Sequence, residues 1–336
     1  MKSLFLAQSA PTVYRVFAPD TIGALEKEFG LCTDHVYTKE EILENPEIGA
    51  DVDYLFSTWS CPLLSAEQIH TCFPRLKAMF YAAGSVQGIA RQYLANGAKI
   101  FSAWAANGVP VAETTVAQIV LANKGFFMAA RYCSRSLDMR GKAVSYVTGT
   151  RGNYGARVGI IGVGMIGTMV CERLKQYKLE VVAYDPFCSP EKAEKLGIRL
   201  VSLEELFSTC DVISNHLANN AQTKGMLTYD HFSRMKPYAV FLNTGRGAQL
   251  VEEDLVRALR EKPGACAVLD VTDPEPPVAD SPFYGMDNVI LTPHLAGSQS
   301  DEVHRMAEYM LEEARRLEAG EPLRYSVTEE MLKTMA

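Results

Sequence analysis

At 336 residues the chain is longer than one hydrophobic core usually covers, so two domains are expected. Apolar residues make up 48% and charged residues 22%, which excludes a disordered or low-complexity protein. A formal net charge of −7 gives no global attraction to nucleic acid or to an anionic membrane, so neither is an expected partner and any anionic small molecule must be met by local cations.

In chain order, Leu4-Phe5-Leu6-Ala7 is too short for a signal-peptide core and is interrupted by Gln8, so it reads as a first β-strand. Strand candidates at 3–7, 54–57, 78–82 and 99–103 alternate with helical patterns such as 21–28 and 65–72, the order of a parallel α/β sheet. Residues 111–125 read as a long apolar helix with few charges beyond Glu113 and Lys124. The stretch 126–154 is basic and without clear periodicity, and is expected to be an irregular arm that packs on a partner subunit. A second α/β series follows, with strands expected at 158–161, 181–184, 212–216, 239–243, 266–270 and 289–291, and a final helix at 300–319. No segment approaches the length of a membrane span. The eight cysteines are scattered, with no Cys-x-x-Cys pair and no His cluster, so no metal site is expected and a reduced, cytoplasmic setting is.

The second series opens on chemistry. Val158-Gly-Ile-Ile-Gly162-Val-Gly164-Met165-Ile166-Gly167 is an apolar strand breaking into Gly-x-Gly-x-x-Gly. In such a turn Gly162 allows the tight bend, Gly164 lets backbone N–H groups approach a pyrophosphate, and Gly167 lets the helix pack on the strand. The anion then rests at the helix's positive end. Asp185 ends the next strand candidate, where the fingerprint requires an acid for the adenosine ribose. Its charge would repel a 2′-phosphate, and Pro186, Phe187, Cys188 and Ser189 supply no Arg to hold one, so NAD is favoured over NADP.

Three further signals follow expected strands, at the edge where open α/β sheets bind ligands: Asn243-Thr244-Gly245-Arg246-Gly, Asp270-Val-Thr-Asp-Pro-Glu275-Pro, and Thr292-Pro-His294-Leu-Ala-Gly297. Arg246 is a permanent forked cation suited to a carboxylate and to a carbonyl oxygen that gains charge during reduction. His294 can carry the proton. Glu275, if it meets His294, orients the imidazole and keeps it available as the acid. The set reads as a hydride-transfer site for a 2-hydroxy or 2-keto acid, with the redox chemistry supplied by the cofactor. His216 is a rival proton carrier that reads better as a structural loop residue.

These residues resemble the D-isomer-specific 2-hydroxyacid dehydrogenase family, which includes phosphoglycerate, glyoxylate/hydroxypyruvate and D-lactate dehydrogenases. The resemblance is strongest from Val158 through Gly297. It implies two Rossmann-like domains. A flavodoxin-like substrate domain would comprise 1–108 and 300–336, and an inserted NAD-binding doubly wound parallel sheet 109–299, with 126–154 as a dimerisation arm. It implies Arg246, Glu275 and His294 as the catalytic triad. Met165 and Ile166 would border the pyrophosphate, Asp185 the ribose, Thr244 the nicotinamide half and Asp270 the carboxamide. Ala218, Thr223, Gly245, His294 and Gly297 would also line the cofactor. In Asn215-His216-Leu-Ala218-Asn-Asn-Ala-Gln-Thr223, Ala218 stands where the family usually has Pro. Tyr81-Ala-Ala83-Gly84-Ser85 resembles the turn that holds the substrate carboxylate, with the Ala83 and Gly84 amides as donors, but Val86-Gln87-Gly88 replaces the Asp-Asn often seen next. Substrate contacts would thus fall to Ala83, Gly84, Arg246 and His294. Trp59 and Trp104 read equally as substrate walls or as packing aromatics. The expected protein is a homodimeric, NAD-dependent D-2-hydroxyacid dehydrogenase. A formate dehydrogenase is disfavoured, since that resemblance calls for Gln in place of Glu275. The alternative from another class is an NAD(H)-sensing binding protein like the C-terminal binding protein corepressors, with little turnover.

Overall fold

The strands form where short apolar runs can be buried on both faces, which is what a parallel sheet covered by helices demands. A computed structural model describes residues 1–333. Two units result, Met1–Gly108 with Ser298–Ala336, and Val109–Gly297. Positions 334–336 of the expected substrate segment lie outside the described residues.

In the first unit, β1 (Ser3–Leu6), β2 (Leu31–Tyr37), β3 (Tyr54–Ser57), β4 (Ala78–Tyr81) and β5 (Lys99–Ser102) lie in the order β5-β4-β3-β1-β2, with a terminal strand Ser326–Val327 antiparallel on β5. Order 2-1-3-4-5 is the flavodoxin-like arrangement. Phe56, Phe80 and Phe101 stack across three strands at 5.0 and 4.7 Å between centroids. Each such fully buried ring contributes about 1.5–3 kcal/mol. Helix His304–Ala319 covers this face with Met306, Met310 and Ala314, all buried and at helical spacing.

The second unit carries β6 (Arg157–Ile161), β7 (Glu180–Tyr184), β8 (Arg199–Leu200), β9 (Val212–Asn215), β10 (Val240–Asn243), β11 (Cys266–Leu269) and β12 (Val289–Leu291). Their order, β12-β11-β10-β9-β6-β7-β8, is the doubly wound dinucleotide-binding order with one strand added at the end. All pairings are parallel, and the register aligns Tyr184, Ile161, Asn215, Asn243, Leu269 and Leu291 in one row across the sheet. The residues next in sequence, Asp185, Gly162, His216, Thr244, Asp270 and Thr292, therefore emerge along a single carboxyl edge.

Two expectations are corrected. The apolar helix begins at Trp104 and runs to Asn123 with Pro110 inside it, so it starts seven residues before 111. Residues 126–154 are not irregular: helices Phe126–Cys133 and Arg140–Gly149 pack on each other, joined through a 3-10 turn at Leu137–Met139. Met128, Tyr132, Ala143 and Tyr146 insert into the core of their own unit, and the Tyr146 hydroxyl donates to Gly264 O at 3.0 Å. The reverse side of the hairpin leaves Leu137 at 89% exposure and Val144 at 56%.

Candidate active site

At the sheet's switch point, where β6 neighbours both β7 and β9, the chain leaves β6 through Gly162 at φ +89°, a conformation side chains rarely adopt. A Cβ on Gly167 would lie 2.0 Å from Gly162 O, so the helix Met165–Leu174 can approach its strand only without one. A Cβ on Gly164, by contrast, would meet nothing within 4 Å. That opening lies at the N-terminus of the helix, with Met165 and Ile166 half-buried in its first turn, the setting in which backbone N–H groups receive a pyrophosphate. Asp185 directly follows the neighbouring strand β7 and accepts from Val163 N at 2.7 Å and Phe187 N at 2.8 Å, so its carboxylate is fixed in orientation beside the glycine turn. The glycine cradle and the oriented acid fit a dinucleotide.

Buried amides set the next loops. Asn215 Nδ2 donates to Asn243 Oδ1 at 3.0 Å and to Gln249 Oε1 at 2.6 Å. Gln249 Oε1 also accepts from Arg246 N at 3.1 Å, and Asn243 Oδ1 accepts from Gly245 N at 3.1 Å. These side chains satisfy each other and the turn's backbone together, so the turn carrying Arg246 is rigid. Thr244 is buried with its hydroxyl 3.1 Å from that of Thr115. Arg246 is half-buried, donates to Gly245 O at 2.7 Å, and pairs with no carboxylate among the described residues. An uncompensated guanidinium at a sheet's carboxyl edge suits an anion.

His216 is held in place by other means. Its Nε2 lies 2.9 Å from Ser214 Oγ, its Nδ1 is enclosed without a partner, and burial pushes its pKa down to about 4. It is a neutral, structural ring. The Thr223 hydroxyl donates to Ala218 O at 2.5 Å, and Thr223 N donates to Asn220 Oδ1 at 3.2 Å, so this loop closes on itself although Ala218 replaces Pro.

The last two loops meet. His294 Nδ1 lies 2.7 Å from Glu275 Oε1, joining the segments that follow the adjacent strands β11 and β12. Both side chains are about two-fifths exposed, so the pair adds little to fold stability and acts chiefly to orient the imidazole. His294 itself sits at φ +54°, a strained position for a side-chain-bearing residue. Asp270 holds the loop in that shape: its buried carboxylate accepts from Thr292 Oγ1 at 2.5 Å, Leu295 N at 2.8 Å and Ala296 N at 2.9 Å. On the other side Glu252, half-buried and with its carboxyl pushed up by burial, accepts from Asp273 N at 3.0 Å and steadies the segment leading to Glu275. Gly297 ends this unit.

Ala83 and Gly84 belong to the first unit, just past β4. The Ala83 N–H already donates to Tyr81 O at 2.9 Å, which leaves Gly84 and Ser85 as the amides of this turn without a partner. Trp104, half-buried, packs edge-on against Tyr325 at 5.5 Å between ring centroids. Trp59 is 42% exposed, with the Arg15 guanidinium 5.3 Å from its ring. The roles of Thr115, Asn215, Asn243, Gln249 and Glu252 escape a reading of motifs. The one available signal is that Asn215 and Asn243 each close a fully buried strand with an amide.

A sequence model described as D-isomer specific 2-hydroxyacid dehydrogenase, NAD binding domain, matches residues 127–296. The chain belongs to this family and carries its NAD-binding domain. D-3-phosphoglycerate dehydrogenase of Archaeoglobus fulgidus is 35% identical over 173 residues, 52% of this chain and 33% of that one. Glyoxylate reductase of Korarchaeum cryptofilum is 34% identical over 180 residues, 54% of each chain. These matches thus take in only a third to about a half of the relatives' length. Over nearly the whole chain the fold is that of the apo D-mandelate dehydrogenase of Rhodotorula graminis, with a TM-score of 0.83, 19% identity and 97% of each chain covered. Among the described residues no helix is long and apolar enough to cross a membrane, and no group of three or more His, Cys, Asp or Glu could hold a metal ion.

Proposed function

We propose that this chain is an NAD-dependent D-2-hydroxyacid dehydrogenase, equally a 2-keto acid reductase. The observation that carries the reading is the 2.7 Å His294–Glu275 contact on the loops after β11 and β12, with the unpaired Arg246 on the loop after β10. In reduction, His294 gives its proton to the carbonyl oxygen as charge develops there, and Glu275 holds the ring and balances the imidazolium. Arg246 stabilises the same oxygen and the neighbouring carboxylate. Bound NAD(H) supplies the hydride chemistry. Gly162, Gly164, Met165, Ile166, Gly167 and Asp185 would hold its adenosine and pyrophosphate part. Ala218, Thr223, Thr244, Gly245, Asp270, His294 and Gly297 would line the rest. The substrate carboxylate is assigned to the turn at Ala83 and Gly84, with the Gly84 and Ser85 amides as its donors.

The 1–108/300–336 part is accordingly proposed as the substrate domain and 109–299 as the cofactor domain. The 126–154 hairpin is proposed as a homodimer contact, supported by its exposed Leu137 and Val144. A cytoplasmic setting is proposed on eight free cysteines, five of them buried. The test is NADH oxidation, followed by absorbance, against 2-keto acids from glyoxylate and pyruvate to hydroxypyruvate and bulky aromatic acids, with His294→Ala as control. Turnover abolished in the variant is the expected result. NADH binding without turnover of any member would overturn the enzyme reading in favour of an NAD(H)-sensing binding protein.

A further inference from the structure

Val163, inside the glycine turn, is gripped on both of its main-chain groups by side chains of opposite charge. Its N–H donates to Asp185 Oδ2 at 2.7 Å, and its carbonyl oxygen accepts from Lys192 Nζ at 2.6 Å. Lys192 lies on the short helix Pro190–Leu196, directly after the turn that Asp185 begins, and its side chain is half-buried. It is close enough to Cys188 for its charge to offset part of the upward push that burial gives that thiol. No carboxylate among the described residues pairs with it. An ammonium has three donors, and one is committed to Val163 O. Two donors and a full charge remain on an ammonium anchored to the same residue, Val163, whose N–H the Asp185 carboxylate accepts.

We propose that Lys192 sets the selectivity between NAD and NADP, by offering its ammonium to a 2′-phosphate that Asp185 alone would repel. The inference rests on the NAD reading of this domain and goes beyond it. Asp185, with one N–H on each oxygen, stays an acceptor for ribose hydroxyls, so NAD remains preferred. The cation anchored on the same turn offsets the repulsion of a dianionic phosphate, and the preference is narrower than the acid alone implies.

The test is fluorescence titration of the full chain with NADH and with NADPH at one fixed ionic strength, which reads binding without turnover. Lys192→Gln retains a neutral donor for the Val163 carbonyl and removes only the charge. It is expected to leave NADH affinity within about twofold and to weaken NADPH by about tenfold or more. Lys192→Arg is expected to hold the wild-type ratio. Equal weakening of both cofactors by Lys192→Gln would reduce the residue to a brace for the turn and overturn the proposal, as would an unchanged ratio. Wild-type protein that binds NADH at micromolar concentration and NADPH not at all would also overturn it. Failure to bind either cofactor would instead overturn the NAD reading itself.

Discussion

Asp270→Asn tests whether the His294 loop is held from below. In the structure Asp270 is only 2% exposed, its Oδ1 accepts from Thr292 Oγ1 and Leu295 N, and its Oδ2 accepts from Ala296 N. An asparagine whose carbonyl oxygen takes the Oδ1 place keeps two of these bonds in neutral form, each weaker by about 1 kcal/mol. Its NH2 then faces the Ala296 N–H, leaving a buried donor unsatisfied at about 1–3 kcal/mol. Relief from burying a carboxylate offsets part of the total, so the net loss is about 3 kcal/mol. For a unit of this size that lowers Tm by roughly 6–12 °C. Calorimetry on the cofactor-free protein reads this directly, because a residue whose sole task is to bind the nicotinamide carboxamide would leave that Tm unchanged. A slackened loop also lets the imidazole drift from its place over Glu275, and a misplacement near 1 Å costs about 100-fold in rate. A cofactor-free Tm within about 1 °C of wild type, with kcat within about twofold, would rule out a loop-holding role for the Asp270 carboxylate.

The glycines of the fingerprint should separate folding from binding. Gly167→Ala places a Cβ 2.0 Å from Gly162 O and is expected to destabilise by at least about 3 kcal/mol in urea melts, whereas Gly164→Ala enters open space and should keep its midpoint while losing NADH affinity in titration. For His216, the folded protein keeps the ring neutral down to about pH 4 while the unfolded chain binds a proton below 6.5. Its contribution is therefore intact above 6.5 and declines as pH falls towards 4, by at most about 3 kcal/mol, so His216→Gln should flatten the Tm–pH curve in that window and leave its slope near pH 8 unchanged. Leu137→Glu, at a position 89% exposed, should change unfolding free energy by no more than about 0.5 kcal/mol while light scattering shows a monomer in place of a dimer.

The glycine turn and the acid beside it were legible because their constraints act over a few consecutive residues. Gly162 and Gly167 are required by backbone approaches that no side chain can share, and Asp185 follows from the length of one β-α-β step. The strands that escaped notice have equally local reasons. β2, Leu-Cys-Thr-Asp-His-Val-Tyr, is a sheet-edge strand with exposed positions, so it lacks the apolar run that marks its neighbours, and β8 is only two residues long. The 126–149 hairpin reads as irregular because Arg140–Gly149 buries only Ala143 and Tyr146 and has glycine at 141 and 149. One face holds its own unit's core while the exposed face mixes Leu137, Val144 and Val147 with Arg140, Lys142 and Thr148, a pattern that blurs helical periodicity.

The residues proposed as catalytic were legible in composition, but what holds them in place was not. Arg246, Glu275 and His294 stand out because charged residues follow apolar strands, yet what aims them is distant in sequence. Asn215 reaches Gln249 across 34 positions, Asp270 reaches Ala296 across 26, and Glu252 reaches Asp273 across 21. Each of these pairs exists because the sheet register places the ends of β9, β10, β11 and β12 side by side. Asp270 shows the consequence for reading roles from motifs. A single acid after a strand suggests one ligand contact, but its two oxygens are committed to three groups of the His294 loop, and any cofactor bond must be added to those. Its ordering of the loop therefore precedes its contact with a ligand, and removing the carboxylate must disturb the empty protein before it disturbs the loaded one.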